Sequence, residues 1–277
     1  MMTPTFWKRL FYGLRHVRPA GSGASPQPRT GKLYLVGVGV GDPDNITVRA
    51  QNVLRQAQVI FISPRRREQF AELLAGKELH EPGRGLFKPM QRRYLGDDEA
   101  QALEERIQRI IRAAVADGKT VAVVDYGDPT VYGPQQGYLQ AFRDLNPEVV
   151  PGISSFNAAN AALATAITGG KHSSSVILTR AKAAQEGYDG QDSLPRLAQT
   201  RSSMALFTMK MDLPRVVAQL KTHYPGDTPA ALVLYAGESQ RQRVIRATLD
   251  TLEAAVHGVE LPFEHLLYVG DFLEDQA

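Results

Sequence analysis

The chain has 277 residues, 43% of them apolar and 22% charged, the composition of a folded globular protein rather than of a disordered, collagen-like or coiled-coil chain. It contains no cysteine, which excludes a disulfide framework, thiolate metal sites and a cysteine nucleophile. The formal charge is +3, yet residues 1–30 hold five basic side chains and no acidic one; the remaining 247 residues carry 27 basic and 29 acidic side chains and have no global nucleic-acid signature.

Residues 1–30 read as a zone of their own. Phe6, Trp7, Leu10, Phe11 and Tyr12 accompany Lys8 and Arg9, and residues 20–30 form a Gly-, Ser-, Pro- and Gln-rich linker. No apolar run is long enough for a signal peptide or a membrane span. The segment reads either as a frayed tail or, through residues 1–18, as a basic amphipathic contact for anionic lipid or a protein. The expected location is the cytoplasm.

Order is predicted from Lys32. Leu33–Val36 is a short apolar strand that runs into Gly37-Val-Gly-Val-Gly-Asp-Pro43. Ile46–Ala57 has helical spacing, with Thr47 or Asn45 as its cap. A buried-looking strand spans Val59–Ile62, and a strongly amphipathic helix spans Glu99–Ala116, stopped by Asp117-Gly118. A strand at Thr120–Val124 leads into Asp125-Tyr-Gly-Asp-Pro129, and Gln135–Leu145 reads as a helix. This alternation predicts an α/β layer with parallel pairing. The second half is richer in strands: Ser175–Thr179, Met204–Met209, Ala230–Tyr235 and Leu266–Val269. Between them lie an Ala-rich helix at Ser154–Ala166, a helix at Leu213–Leu220 with Pro214 in its first turn, and a helix-like Thr248–Ala255. A mixed sheet is expected there. The turn at Val149–Gly152 divides the chain into a leader (1–30), an N-terminal α/β domain (31–149) and a C-terminal α/β domain (150–277).

Gly37-x-Gly39-x-Gly41 matches neither the dinucleotide fingerprint nor a phosphate-binding P-loop. Such glycines serve a close backbone approach to a ligand or merely a tight turn. A second Gly-Asp-Pro, at 127–129, again follows an apolar strand. Two such loops at the ends of parallel strands converge on the crevice where open α/β sheets bind ligands.

These segments, with others, resemble the tetrapyrrole methylase family. Gly31-Lys-Leu-Tyr-Leu-Val-Gly-Val-Gly-Val-Gly-Asp-Pro-Asp44 is similar to its opening motif, Val124-Asp-Tyr-Gly-Asp-Pro-Thr-Val-Tyr-Gly133 to its second, and Val150-Pro-Gly-Ile-Ser-Ser-Phe156 to its third. Val176–Arg180, Met204–Met209, Pro229–Tyr235, Val244–Leu249 and Tyr268–Asp271 extend the match over roughly residues 31–275, and several of these look most like the precorrin-4 C11-methyltransferase branch. The resemblance implies two α/β domains with the active site in the cleft between them. It also implies methyl transfer from S-adenosylmethionine to a tetrapyrrole carbon, with S-adenosylhomocysteine as product, and a homodimer. It places Gly127, Asp128, Pro129, Tyr132, Gly133, Ser154, Ser155, Met209, Ala231 and Leu232 around the cofactor. It places Gly39, Gly41 and Pro43 on the ring side. Asp42 and Asp128 are candidate proton acceptors, or else caps for the turns that follow. Tyr126 and Tyr132 flank the second loop and read either as stacking platforms for a planar ring or as packing residues. No metal is implied. Methylation of RNA or protein, and a non-catalytic cofactor-binding module, are the alternative readings.

The departures fall on the substrate side. Val40 stands where the family loop carries proline, Ile62-Ser-Pro-Arg-Arg-Arg67 replaces the branch's Tyr-Ala-Gly-Ser-Leu-like stretch, and Phe87–Tyr94 replaces its Asp-Ser-Ala-Gly-Met-like loop. Arg65, Arg66 and Arg67, with Lys88, Arg92 and Arg93, make two basic clusters in this region. They read as a solvated face, as a site for ring carboxylates centred on Arg66 and Arg93, or as phosphate contacts. The six histidines have no metal-ligand spacing; His172 is the one expected near the cleft.

Overall fold

The computed structural model describes residues 31–87, 96–209 and 211–276. The leader, Lys88, Arg92 and Arg93 lie outside the described residues. Among the described residues, ten strands form two five-stranded sheets. The first holds β1 (Lys32–Gly37), β2 (Val59–Phe61), β3 (Glu78–His80), β4 (Thr120–Asp125) and β5 (Glu148–Val150), in the spatial order β3-β2-β4-β1-β5 and parallel throughout. The second holds β6 (Val176–Arg180), β7 (Ser203–Met209), β8 (Pro229–Leu234), β9 (Arg243–Thr248) and β10 (Glu264–Val269), in the order β6-β7-β10-β8-β9. Only β6 and β7 pair in parallel there, so this sheet is mixed, as the sequence predicts.

The first sheet is covered on both faces because its strands are apolar at consecutive positions. Val36, Ala122 and Val124 face α1 (Val48–Gln56) and α3 (Ala71–Leu74), whose Ala50, Val53, Leu54 and Leu74 complete that layer; the short α2 (Pro64–Arg67) precedes α3. Leu33, Leu35, Val121 and Val123 face α4 (Asp97–Ala116) and α5 (Gly137–Ala141), through Ile107, Ile111 and Tyr138. The connection from β1 leads toward β2 and that from β4 leads toward β5. These run in opposite directions across the sheet, and the carboxyl ends of β1 and β4 are therefore the switch point that opens a crevice.

The second sheet repeats the logic. Its Ala231, Val233 and Ala205 pack on α6 (Ser155–Leu163), through Ala159 and Leu163. Its other face, with Ala230, Leu232 and Leu206, packs on α7 (Leu194–Ala198), α8 (Leu213–Leu220) and α9 (Leu252–Ala255). The helical reading of residues 248–255 shrinks to Leu252–Ala255, because the preceding residues continue β9 as far as Thr248. The helix expected over 135–145 is broken after Ala141 and ends in a 3-10 turn at Arg143–Leu145. Among the described residues, no helix is long and apolar enough to cross a membrane.

Candidate active site

Three loops meet at the carboxyl end of the parallel sheet. The first leaves β1 and the second leaves β4, and the pairing of Gly37 with Asp125 sets them side by side. Gly39 and Gly127 then exchange backbone bonds: the Gly127 N–H donates to Gly39 O at 2.9 Å and the Gly39 N–H to Gly127 O at 3.3 Å. Both have positive φ, which lets the two chains approach without side-chain interference.

The second loop is held by its own acid. Asp128 Oδ1 accepts from Thr130 N at 2.7 Å and from Thr130 Oγ1 at 2.5 Å, and Asp128 Oδ2 accepts from Gly152 N at 3.3 Å. The loop is thereby fastened to the turn after β5. That turn leads into α6, where Ser154 is the N-cap: its Oγ accepts from Asn157 N at 3.2 Å and Asn157 Oδ1 accepts from Ser154 N at 3.3 Å. Ser155 is the first residue of the helix.

At the far end of the second loop, Tyr132 crosses to the other sheet. Its hydroxyl donates to Leu178 O on β6 at 3.2 Å, its ring meets Phe207 of β7 edge-on at 4.8 Å, and the Arg180 guanidinium lies 5.5 Å over the same ring. Burial raises the Tyr132 phenol above its ordinary value, so it remains a neutral donor. Tyr132, Leu178 and Met209 are 43%, 37% and 47% exposed, and they are three of the five large apolar side chains that stand exposed among the described residues. Alternation along β6 and β7 puts Leu178, Phe207 and Met209 on one face of the sheet. A patch of this kind, beside polar loops, is a place for a ligand. A cavity of about 100 Å³ adjoins it, lined by Tyr132, Thr179, Arg180, Lys182, Tyr188 and Asp192. A larger hollow of about 610 Å³, around Leu139, Arg143 and Val149, is a shallow surface groove remote from the loops.

The first loop is joined to the C-terminal half. Asp42 N donates to Gly237 O at 2.9 Å, and Asp42 Oδ2 accepts from Ser239 N at 2.9 Å. The bonds from Ser239 hold the Asp42 carboxyl below the usual carboxylate range. Asn45, one of two caps expected for α1, instead sends its amide to Val40 O at 2.9 Å and Gly237 O at 3.1 Å, while Thr47 is the cap, accepting from Ala50 N at 3.1 Å. Pro43 opens the 3-10 turn that follows.

The third loop leaves β2 and enters α2. Arg66 lies flat on Tyr126, with Cζ 3.7 Å from the ring centroid, and its Nη1 donates to Gln69 Oε1 at 3.2 Å. Tyr126 OH accepts from Gly41 N at 2.7 Å, and Gln69 Nε2 donates to Gly41 O at 2.7 Å. Tyr126 thus carries an arginine on its ring.

The structure brings Gly39, Gly41, Asp42, Pro43, Arg66, Gly127, Asp128, Pro129, Tyr132, Gly133, Ser154, Ser155 and Met209 to these loops and their walls. The side chains of Ala231 and Leu232 are fully buried in the cores on opposite faces of β8 and do not reach the wall. His172 is exposed, and its backbone N–H donates to Asp271 Oδ2 at 2.8 Å, near the C-terminal end. Sequence reasoning missed Leu178, Phe207, Gln69, Gly237 and Ser239.

A parallel sheet with a switch-point crevice, joined through its glycine loops to a mixed sheet that carries an exposed apolar wall, is an arrangement in which α/β enzymes hold small organic molecules. The sequence matches the Tetrapyrrole (Corrin/Porphyrin) Methylases over residues 32–253. It is 31% identical over 243 residues to the precorrin-4 C(11)-methyltransferase of Pseudomonas aeruginosa, covering 87% of this chain and 90% of that one. The structure superposes on that of a cobalt precorrin-4 methyltransferase of cobalamin biosynthesis with a TM-score of 0.72 at 26% identity, over 91% of this chain and 99% of the other. It shares its fold with a uroporphyrin-III C-methyltransferase from Thermus thermophilus solved with S-adenosyl homocysteine, at a TM-score of 0.60 and 24% identity, over 88% of this chain and all of the other. The chain belongs to the tetrapyrrole methylase family, and with it to the S-adenosylmethionine-dependent methyltransferases.

Proposed function

We propose that the chain transfers a methyl group from S-adenosylmethionine to a carbon of a carboxylated, precorrin-like ring, and that the donor lies between the Gly127–Gly133 loop and the face of β6 and β7. The observation that carries this reading is the exposed apolar wall of Tyr132, Leu178 and Met209 beside a loop whose backbone is fixed by Asp128. An adenosyl group with a sulfonium-bearing amino-acid chain fits such a site, because it offers flat and apolar surfaces with polar ends. When bound, it supplies a methyl carbon already attached to a good leaving group.

The protein's part is positioning and exclusion of water. Gly127, Asp128, Pro129, Tyr132 and Gly133 form one side of the donor site, with Ser154, Ser155 and Met209 around it; Ala231 and Leu232 contribute through their strand. Gly39, Gly41 and Pro43 border the acceptor, with Arg66 and, on the sequence reading, Arg93. Asp42 and Asp128 are the candidate proton acceptors. Each also anchors its loop, and Asp42, held below the usual range, is ionised throughout the neutral pH range. We place the enzyme in the cytoplasm as a homodimer, which sedimentation of the full chain tests.

Incubation with methyl-labelled S-adenosylmethionine, followed by separation of tetrapyrrole, RNA and protein fractions, tests the reading. Label is expected in the ring. Label in RNA or protein assigns one of the other acceptors, and donor binding without any labelled product assigns a binding module.

A further inference from the structure

We propose that Arg66 is the residue that reads a carboxylate of the acceptor ring, and that Tyr126 and Gln69 are positioning residues which fix it against the first glycine loop. The inference rests on the methyl-transfer reading and names its specificity element.

Three observations carry it. First, the placement: β2 ends beside β4, with Phe61 opposite Val123, so α2 starts at the same carboxyl end of the sheet as the two glycine loops. Arg66 therefore stands over the crevice side of the parallel sheet. Second, its guanidinium is immobilised on two sides. The Tyr126 ring lies under it at 3.7 Å and Gln69 takes one N–H. Stacking of this kind fixes the plane of the fork while leaving its outer edge free. Third, the cation has no counter-charge: among the described residues Arg66 forms no ion pair, whereas Arg112, Arg215 and Arg241 each have a carboxylate partner. Among the described residues, one of its five N–H donors is used, by Gln69. A planar, pre-oriented guanidinium without a carboxylate partner is the arrangement that accepts a carboxylate in two parallel bonds.

The same two neighbours hold Gly41. Its N–H goes to Tyr126 OH and its C=O takes the Gln69 amide, both at 2.7 Å. The arginine that reads the ligand and the loop that borders it are thus locked in one bonded unit. The neighbouring arginines differ: Arg65 is exposed, and Arg67, whose Nε is buried without a hydrogen-bond partner, has no aromatic ring against it among the described residues. This arrangement lies in the stretch 62–67, where the chain departs from the pattern its other motifs follow.

The test uses the full chain and two probes: S-adenosylhomocysteine by calorimetry, and uroporphyrin III, a ring with eight carboxylates, by its own fluorescence. Arg66→Gln should weaken the porphyrin about 10–150-fold, the range for a charged hydrogen bond lost from a shielded site, and leave S-adenosylhomocysteine affinity unchanged. Arg66→Lys should not restore it, since lysine lacks the planar fork. Tyr126→Leu should weaken the porphyrin as Arg66→Gln does, and the double variant should be no worse than either. Tyr126→Phe, which keeps the ring under Arg66 and loses only the bond from Gly41 N, should recover most of the porphyrin affinity, and neither variant should change S-adenosylhomocysteine affinity; a merely structural tyrosine would weaken both ligands together. Melting curves identify any variant that fails to fold, and the Arg66 pair, on a partly exposed side chain, still decides the question. Unchanged porphyrin affinity in Arg66→Gln, full rescue by Arg66→Lys, or additive losses in the double variant overturns the proposal. So does a wild-type chain that binds S-adenosylhomocysteine but not the porphyrin. A wild-type chain that binds neither overturns the methyl-transfer reading itself.

Discussion

Replacing Gly41 by alanine probes the joint between the two halves. Gly41 has φ +70°, and a Cβ built there falls well inside 3.0 Å of the backbone carbonyl of Gly237 on the opposite turn. Neither backbone can yield as a flexible side chain would. The left-handed conformation alone costs an alanine about 1–2 kcal/mol. Relieving the collision moves the two turns apart and threatens four bonds: Gly41 N to Tyr126, Gln69 to Gly41 O, Asp42 N to Gly237 O and Ser239 N to Asp42. Loss of two of them adds about 1–3 kcal/mol at ordinary net values. Gly76 is the control, because it has φ +71° with no atom within 4 Å of an added Cβ. Gly76→Ala therefore bears only the conformational cost. For a chain of this size each kcal/mol shifts the melting temperature by about 2–4 °C. Gly41→Ala should accordingly melt about 2–12 °C below Gly76→Ala in the same buffer, measured by scanning calorimetry. Equal melting temperatures for the two variants would show that the first loop is not held against the Tyr235–Ser239 turn, and would refute the reasoning.

Asp42→Asn should lower the melting temperature at pH 7, because Asp42 is held below its usual range and stabilises the fold above pH about 3.8; the difference from wild type should vanish as the pH falls through the folded value. His265 is buried, with Nδ1 2.9 Å from Pro262 O, and burial lowers its pKa. Its folded value lies below the unfolded one, so the native state should lose stability as pH falls below about 6.5, and His265→Gln should flatten that limb of a melting-temperature profile. Ser154→Ala removes the cap of α6 and should cost about 1 kcal/mol, or about 2–4 °C, read from the same melting curves.

The parts of the fold that were legible in the sequence are those whose burial leaves a periodic trace. β1, β2, β4, β7, β8 and β10 are continuous apolar runs because they are covered on both faces, and α1, α4 and α8 carry apolar stripes. The strands that escaped notice were β3, β5 and β9. All three lie at sheet edges, where Glu78, Glu148, Arg243 and Arg246 meet solvent and the apolar signal is lost. The glycine loops were legible because strand–Gly–Asp–Pro is rare and occurs twice. What they touch was not. Gly41 meets Gly237 and Asp42 meets Ser239 across almost two hundred residues, and no local pattern encodes such a contact. Leu178 read as an ordinary strand residue; only the pairing of β6 with β7 shows that it shares an exposed face with Met209. Arg66 was legible as a charge but not as a stacked one, since the ring it lies on, Tyr126, belongs to another loop; Gln69, three residues along the same helical segment, is its only local side-chain partner among the described residues.

The central claim is that the methyl donor lies between the Gly127–Gly133 loop and the apolar wall of the second sheet. Calorimetric titration of the full chain with S-adenosylhomocysteine, comparing wild type with Leu178→Asp and Met209→Asp, tests it most directly. Both side chains are already exposed, so the substitutions have little cause to unfold the protein. Placing a charge on an apolar contact surface should cost at least about 1.4 kcal/mol of binding, which is tenfold. The account predicts micromolar binding in the wild type and at least about tenfold weaker binding in each variant. Binding that is absent at millimolar ligand, or that neither substitution changes, would contradict it.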